Sequence, residues 1–318
     1  MRIHFWGTRG SLPVALDADG VRAKIERALA MVAPEQLDSE TSIKQFVDEA
    51  LEFPVKHTYG GNSSCVQIHS THDEFVLCDL GSGLRVFSQR LLEQRGPGPF
   101  TFNIFMSHPH WDHIMGFPFF VHAYIPGNKI RIHSSHQAME RAIRDQQSPP
   151  CFPVPFNRMD ADIEFVAMAE GACYEVAGLG VRNILQPHSG DSYTYRFEQD
   201  DRAVVYSTDS EHKLDSAEDT DAIVEFYANA DLVIFDSMYS LAESVSVKED
   251  WGHSSNIVGV DLCHRARVKH YCMFHHEPSY DDNMIHQVLK ETIRYEELTR
   301  DDHELRVSSA YDGMIIEV

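Results

Sequence analysis

A chain of 318 residues, 43% hydrophobic and 24% charged, can bury a full core as one large α/β domain or as two. Its formal net charge of −22 disfavours non-specific binding to DNA, RNA or anionic membrane, because the phosphate-neutralising lysines and arginines are missing. A small anionic substrate stays open if bound cations reverse the field locally. The six cysteines form no Cys-x-x-Cys pair, which points to reduced thiols rather than a disulfide framework. No apolar signal core opens the sequence and no apolar run is long enough for a bilayer, so a cytoplasmic protein without membrane contact is expected.

Ile3 to Trp6 reads as a first strand, closed by Gly7-Thr8-Arg9-Gly10-Ser11. Residues 15–53 differ in character. Val21, Ile25, Leu29 and Val32 share one helical face, and Ile43, Phe46, Val47, Ala50 and Leu51 mark a second amphipathic helix after Pro34. The pair predicts an inserted helical hairpin whose apolar stripes bury against the domain or against a second copy in a homodimer. A glycine turn, Gly60-Gly61-Asn62, leads to strands at Val66–Ile68 and Phe75–Cys78, and the second runs into Asp79-Leu80-Gly81-Ser82-Gly83. Asp79 is placed to cap that turn or to support a neighbouring ligand. A helix to about Glu93 follows, then Arg95-Gly96-Pro97-Gly98-Pro99 breaks the chain.

Phe102 to Met106 reads as a buried strand that delivers Ser107-His108-Pro109-His110-Trp111-Asp112-His113. Four potential ligands, His108, His110, Asp112 and His113, fall within six residues of a strand end. Imidazole suits zinc and its neighbours, and the carboxylate adds charge for a second cation. The segment 116–160 is rich in aromatics and prolines, with Gly116-Phe117-Pro118-Phe119-Phe120 and Ser148-Pro149-Pro150-Cys151-Phe152-Pro153 at its heart. Beside a metal site such a segment reads as a pocket wall, or else as a surface loop packed on its own rings. Further strands are expected at 163–166, 181–185, 193–197, 204–207, 232–235, 271–274 and 314–316, and helices from about Asn256 and after Asp281-Asp282. Strands alternating with helices across short glycine turns argue for an α/β sandwich.

His108-x-His110-x-Asp112-His113, preceded by a strand-end Asp79 and followed by isolated His and Asp at later strand ends, resembles the metallo-β-lactamase superfamily. Gly252-His253-Ser254-Ser255 and Phe274-His275-His276 resemble its phosphodiesterase branch, and the Gly60 to Cys65 turn and the Ser148 to Val154 stretch its cyclic-nucleotide subgroup. The resemblance implies a single domain over 1–318, an αββα four-layer sandwich carrying the 15–53 insertion. It also implies two divalent ions, zinc first, with manganese or iron as other occupants. His108, His110 and His188 would hold one ion, and Asp112, His113 and His275 the other, with Asp209 bridging both. Adjacent strand-end residues face opposite ways, so only one of His275 and His276 reaches the metals, and the resemblance favours His275.

Asp112, His253 and Asp236 are the candidate catalytic residues. His253 is the expected donor to the departing alkoxide, and Asp236 stands where tRNA-processing relatives carry a glutamate. Two divalent ions about 3.5–4 Å apart acidify a shared water and neutralise a phosphodiester's oxygens. The implied activity is metal-dependent hydrolysis of a small phosphodiester, foremost a 3′,5′-cyclic nucleotide. A carbonyl substrate (lactone, thioester or lactam) is the alternative. RNA 3′-processing is less favoured, given the acidic charge and the lack of a basic arm. A sensor that binds without turnover is the third reading, against which the full ligand set argues.

Overall fold

The computed structural model describes residues 1–213, 217–240 and 251–318. Two seven-stranded sheets face each other. With strands numbered along the chain, the first sheet has the order β14 (Ile315–Glu317), β1 (Arg2–Gly7), β2 (Cys65–His69), β3 (Phe75–Cys78), β4 (Thr101–Phe105), β5 (Lys129–Ser134) and β6 (Asp162–Ala167). The second has the order β13 (Arg306–Ser309), β12 (His270–Phe274), β11 (Leu232–Asp236), β10 (Arg202–Ser207), β9 (Ser192–Gln199), β8 (Leu179–Gln186) and β7 (Tyr174–Val176).

Three apolar layers result. Phe5, Val66, Phe105, Tyr195, Phe197, Val204, Ile234 and Phe274 pack between the sheets. Helix Gly83–Arg95 covers the outer face of the first sheet through Leu84, Phe87 and Leu91. Helices Asn256–Arg265 and Asp282–Thr299 cover the second through Val260, Leu262, Ile285 and Val288. This is the expected αββα sandwich. β3, β11 and β12 are buried at every residue, which is why they read as apolar runs rather than alternations.

Topology then aims the chain. β3 and β4 run parallel in the first sheet, and β10, β11 and β12 run parallel in the second. β8 pairs antiparallel with β9, and β9 with β10, so β8 shares the direction of β10. The carboxyl ends of β8, β10, β11 and β12 therefore lie along one rim of their sheet, where loops are free to carry chemistry.

The 15–53 insertion is helical, with helix Ala18–Met31, helix Glu40–Gln45 and a π turn at Phe46–Ala50, and most of its first stripe is not covered by the domain, the first of its two expected partners. Val21, Ile25 and Leu29 are 44%, 55% and 62% exposed, while Ala28 and Val32 pack on a small core of Phe46, Leu51 and Val55. In the 116–160 segment, Phe117 and Phe120 join the core over the first sheet instead of walling a cleft. Their rings extend the layer made by Trp6, Phe102 and Ile114.

The insertion is held to the body by Lys24, whose ammonium lies 2.6 Å from the buried Asp282 carboxylate and 2.9 Å from the His57 carbonyl. The other oxygen of Asp282 accepts from the Tyr59 amide at 2.8 Å. Replacing Lys24 with Met leaves a buried carboxylate without its cation, at a cost of about 1–3 kcal/mol. Urea unfolding of Lys24→Met should show a lower midpoint than wild type, with metal content unchanged.

Candidate metal centre

Seven predicted ligands converge at the rim. Among the described residues, ligand atoms of His108, His110, His188 and Asp209 lie within 4.8 Å of one another, and so do those of Asp112, His113, Asp209 and His275. Asp209 belongs to both groups through different oxygens. Its Oδ1 lies 3.1 Å from His113 Nε2 and 3.1 Å from His275 Nε2. Its Oδ2 faces the other side, 3.5 Å from His108 Nε2 and 3.7 Å from His188 Nε2.

The spacing fits a cation. Asp112 Oδ2 is 3.1 Å from both His113 Nε2 and His275 Nε2, and those two nitrogens are 3.3 Å apart. A tetrahedron with arms of about 2.0–2.1 Å has edges of about 3.3–3.4 Å, so these atoms surround a zinc-sized point. On the other side His188 Nε2 and His110 Nδ1 are 3.2 Å apart, and the buried His108 Nε2 has no hydrogen-bond partner. Two imidazole nitrogens turned on each other, with a third unpartnered, form a donor set that a central cation would satisfy.

Electrostatics agree. Burial holds His108, His110 and His188 below the usual imidazole range, which keeps them neutral, the form that ligates. Burial also pulls His113 down, but Asp112, Asp209 and Asp79 outweigh it and raise it well above that range. Burial would raise Asp209, yet His275, His113 and His108 hold it well below the ordinary carboxylate range. The pocket is anionic and draws protons where it has room for metal.

Three of the ligand rings, those of His108, His113 and His188, are oriented from behind. Asp79, fully buried, accepts from the Ser107 amide at 2.8 Å, and its other oxygen accepts from Ser107 Oγ, His113 Nδ1 and Tyr206 OH, each at 2.7 Å. That turns His113 Nε2 inward. His108 Nδ1 meets Ser107 Oγ at 3.0 Å, so one carboxylate sets two rings. His188 Nδ1 donates to the Gly252 carbonyl at 2.7 Å. Asp79, Asp209 and His275 all have positive φ, at 59°, 37° and 61°. Such non-glycine conformations cost about 1–3 kcal/mol each, and here they fall at the strand ends that serve the site.

The pair at 275 and 276 is resolved by its partners. His275 faces the cluster, whereas His276 Nε2 donates to the Ala310 carbonyl at 2.8 Å and lies outside the pocket. Asp236 ends β11, and its Oδ2 accepts from His253 Nδ1 at 2.8 Å, so the shorter carboxylate reaches the ring. The His253 ring lies 5.1 Å from that of His275 and 5.3 Å from that of His188, beside both groups. Burial lowers His253, but Asp236 prevails and its pKa rises to about 9, so the ring carries its proton at neutral pH.

Sequence reasoning missed the loop after β1. The Ser11 amide donates to Asp112 Oδ2 at 2.8 Å, and a Cβ at Gly10 would sit 2.5 Å from His275 Nδ1. Arg-Gly-Ser shortly after a strand is the available signal. Ser107, at the head of the motif, and Tyr206, inside its strand, carry no signal of their roles beyond a hydroxyl near a strand end.

Residues 75–276 match the beta-lactamase superfamily domain. The chain belongs to the beta-lactamase superfamily. With paired His/Asp clusters on this fold it is a metal-dependent hydrolase of that superfamily. Among solved structures it is similar to the metallo-beta-lactamase fold protein YhfI from Bacillus subtilis, with TM-score 0.66 and 15% identity over 100% of this chain and 98% of that one. A diphosphatase of the PhnP family is similar at TM-score 0.61 and 16% identity, over 100% and 97%. Unliganded yeast PDE1 is similar at TM-score 0.63 and 13% identity, over 80% and 95%. At these identities the likeness is one of fold. No curated protein matches in sequence.

Removing one acceptor from Asp79 should loosen both rings it sets. Asp79→Asn is expected to weaken zinc binding by roughly 10–100-fold, the usual effect of losing a group behind the ligands. Competition with a chromophoric chelator measures it, and the fold should persist by circular dichroism.

Proposed function

We propose that this chain is a dinuclear metal-dependent phosphodiesterase acting on a small phosphodiester, with a 3′,5′-cyclic nucleotide as the foremost substrate. The observation that carries this reading is the His253–Asp236 pair: an imidazole hydrogen-bonded to a buried carboxylate, flanking both ligand groups.

His108, His110 and His188 would hold one ion and Asp112, His113 and His275 the other, with Asp209 shared. When bound, such ions supply an acidified water and neutralise the oxygens of the phosphodiester. His253 gives its proton to the alkoxide that leaves phosphorus, and Asp236 stabilises the ring in its charged form before transfer. Asp236 is fixed for that task by the amides of Ser210 and Met238, which donate to it at 3.0 and 3.1 Å. Asp112, held by the Ser11 amide, keeps one oxygen turned toward His113 and His275. A thioester expels a thiolate that needs little help, so a dedicated donor favours the alkoxide of a phosphodiester over a thioester.

A cavity of about 600 Å³ abuts His188 and is lined by Pro187, Ser189, His212, Lys213 and Gly252. Its size is within the range of about 300–1,000 Å³ typical of small-molecule sites, which favours a nucleotide over a polymer. The net charge of −22 argues the same way.

His253→Ala should lower kcat on a 3′,5′-cyclic nucleotide, whose leaving group is an unactivated alkoxide, by roughly 10²–10⁴-fold with both metals retained, the usual share of a general acid. Unchanged turnover would remove the assigned role. Wild-type activity confined to lactones, thioesters or nitrocefin would remove the phosphodiester assignment.

A further inference from the structure

We infer that Glu211 is a positioning residue that, through the Gly252 peptide, holds His188 and His253 as one unit. The inference rests on the reading of His188 as a metal ligand. Glu211 touches neither imidazole. Its Oε2 accepts from the Gly252 amide at 2.9 Å, and the carbonyl of Gly252 accepts from His188 Nδ1 at 2.7 Å. The glutamate amide itself donates to the Pro187 carbonyl at 2.8 Å, one residue before His188. One residue thus bonds both the chain that carries the ring and the amide of the residue whose carbonyl orients it.

Gly252 is suited to this place for two reasons. Its φ is +85°, and a Cβ there would lie 2.7 Å from His188 Nδ1. The next residue in the chain is His253, so a shift of the 252 peptide moves the proton donor as well as the ligand's support.

The neighbours of Glu211 tie down the same loop. Ser254 Oγ donates to the Ser210 carbonyl at 2.5 Å and accepts from the His212 amide at 3.0 Å. The Ser210 amide donates to Asp236 Oδ2, the oxygen that also receives His253 Nδ1. The run 209–212 therefore begins with the carboxylate shared by both ligand groups and continues into the contacts that hold 252–254. Loss of the Glu211 acceptor should free the 252 peptide without touching Asp112, His113 or His275.

The test is a zinc titration against a chromophoric chelator on wild type, Glu211→Met and Glu211→Gln. Methionine keeps the bulk without an acceptor, and glutamine keeps an acceptor without the charge. Wild type should bind two ions. Glu211→Met should keep one at wild-type affinity and bind the other roughly 10–100-fold more weakly, as when the support of a ligand histidine is lost. Glu211→Gln should stay close to wild type. The His188 Nδ1–H signal in proton NMR should broaden or vanish only in Glu211→Met. Two undiminished sites in Glu211→Met, or an equal loss in Glu211→Gln, would overturn the inference. A wild type that holds two ions yet cleaves no phosphodiester would remove the proposed substrate and leave this role of Glu211 standing, whereas one that holds none overturns both.

Discussion

Buried negative charge is the constraint on which this structure turns. Asp79, Asp112, Asp209 and Asp236 are all buried within reach of the same imidazoles, and among the described residues no lysine or arginine pairs with them. Removing a carboxylate from water costs several kcal/mol unless a counter-charge and hydrogen bonds compensate. Hydrogen bonds from Ser11, Ser107, Tyr206 and Ser210 meet part of the need. Protons on histidine meet another part, but a doubly protonated histidine cannot ligate. Divalent ions would satisfy the carboxylates and the neutral imidazoles together.

The fold is arranged to make that concentration of charge possible. Strands buried on both faces leave no slack, so residues at their ends are placed by the sheet rather than by the loops. The positive φ values of Asp79, Asp209 and His275 show where this placement is forced. The cost is borne by the sandwich interior, where Phe105, Tyr195, Tyr206 and Phe274 fix the strands that carry them. Asp79 links the two ideas, since it ends β3 and yet receives a hydroxyl from β10 across the sandwich.

Much of this was legible in the sequence, for reasons that differ by residue. His108, His110, Asp112 and His113 stand close together in the chain, so their chemistry needed only local reading. His188, Asp209 and His275 are single residues at separate strand ends, where nothing local distinguishes a ligand from a turn residue, and only family resemblance singled them out. β5 went unseen although Ile130 and Ile132 alternate with Arg131 and His133, because it follows a stretch dominated by aromatics and prolines. Those rings were assigned to a cleft when burial into the layer over the first sheet was the simpler fate of Phe117 and Phe120. The stripe of Val21, Ile25 and Leu29 stands clear of the domain, since helical periodicity reports an apolar face and not what covers it. Gly10 and Gly252 act through backbone approach and hydrogen bonds to rings distant in the chain, which no spacing rule captures.

The central claim is that Asp209 stands between two metal ions, one on each oxygen. Anomalous diffraction from crystals of zinc-loaded protein, collected above the zinc absorption edge, tests it most directly. The account predicts two peaks about 3.5–4 Å apart, as in two-metal sites generally, one among His108, His110 and His188 and the other among Asp112, His113 and His275. A single peak, or peaks away from Asp209, would contradict it.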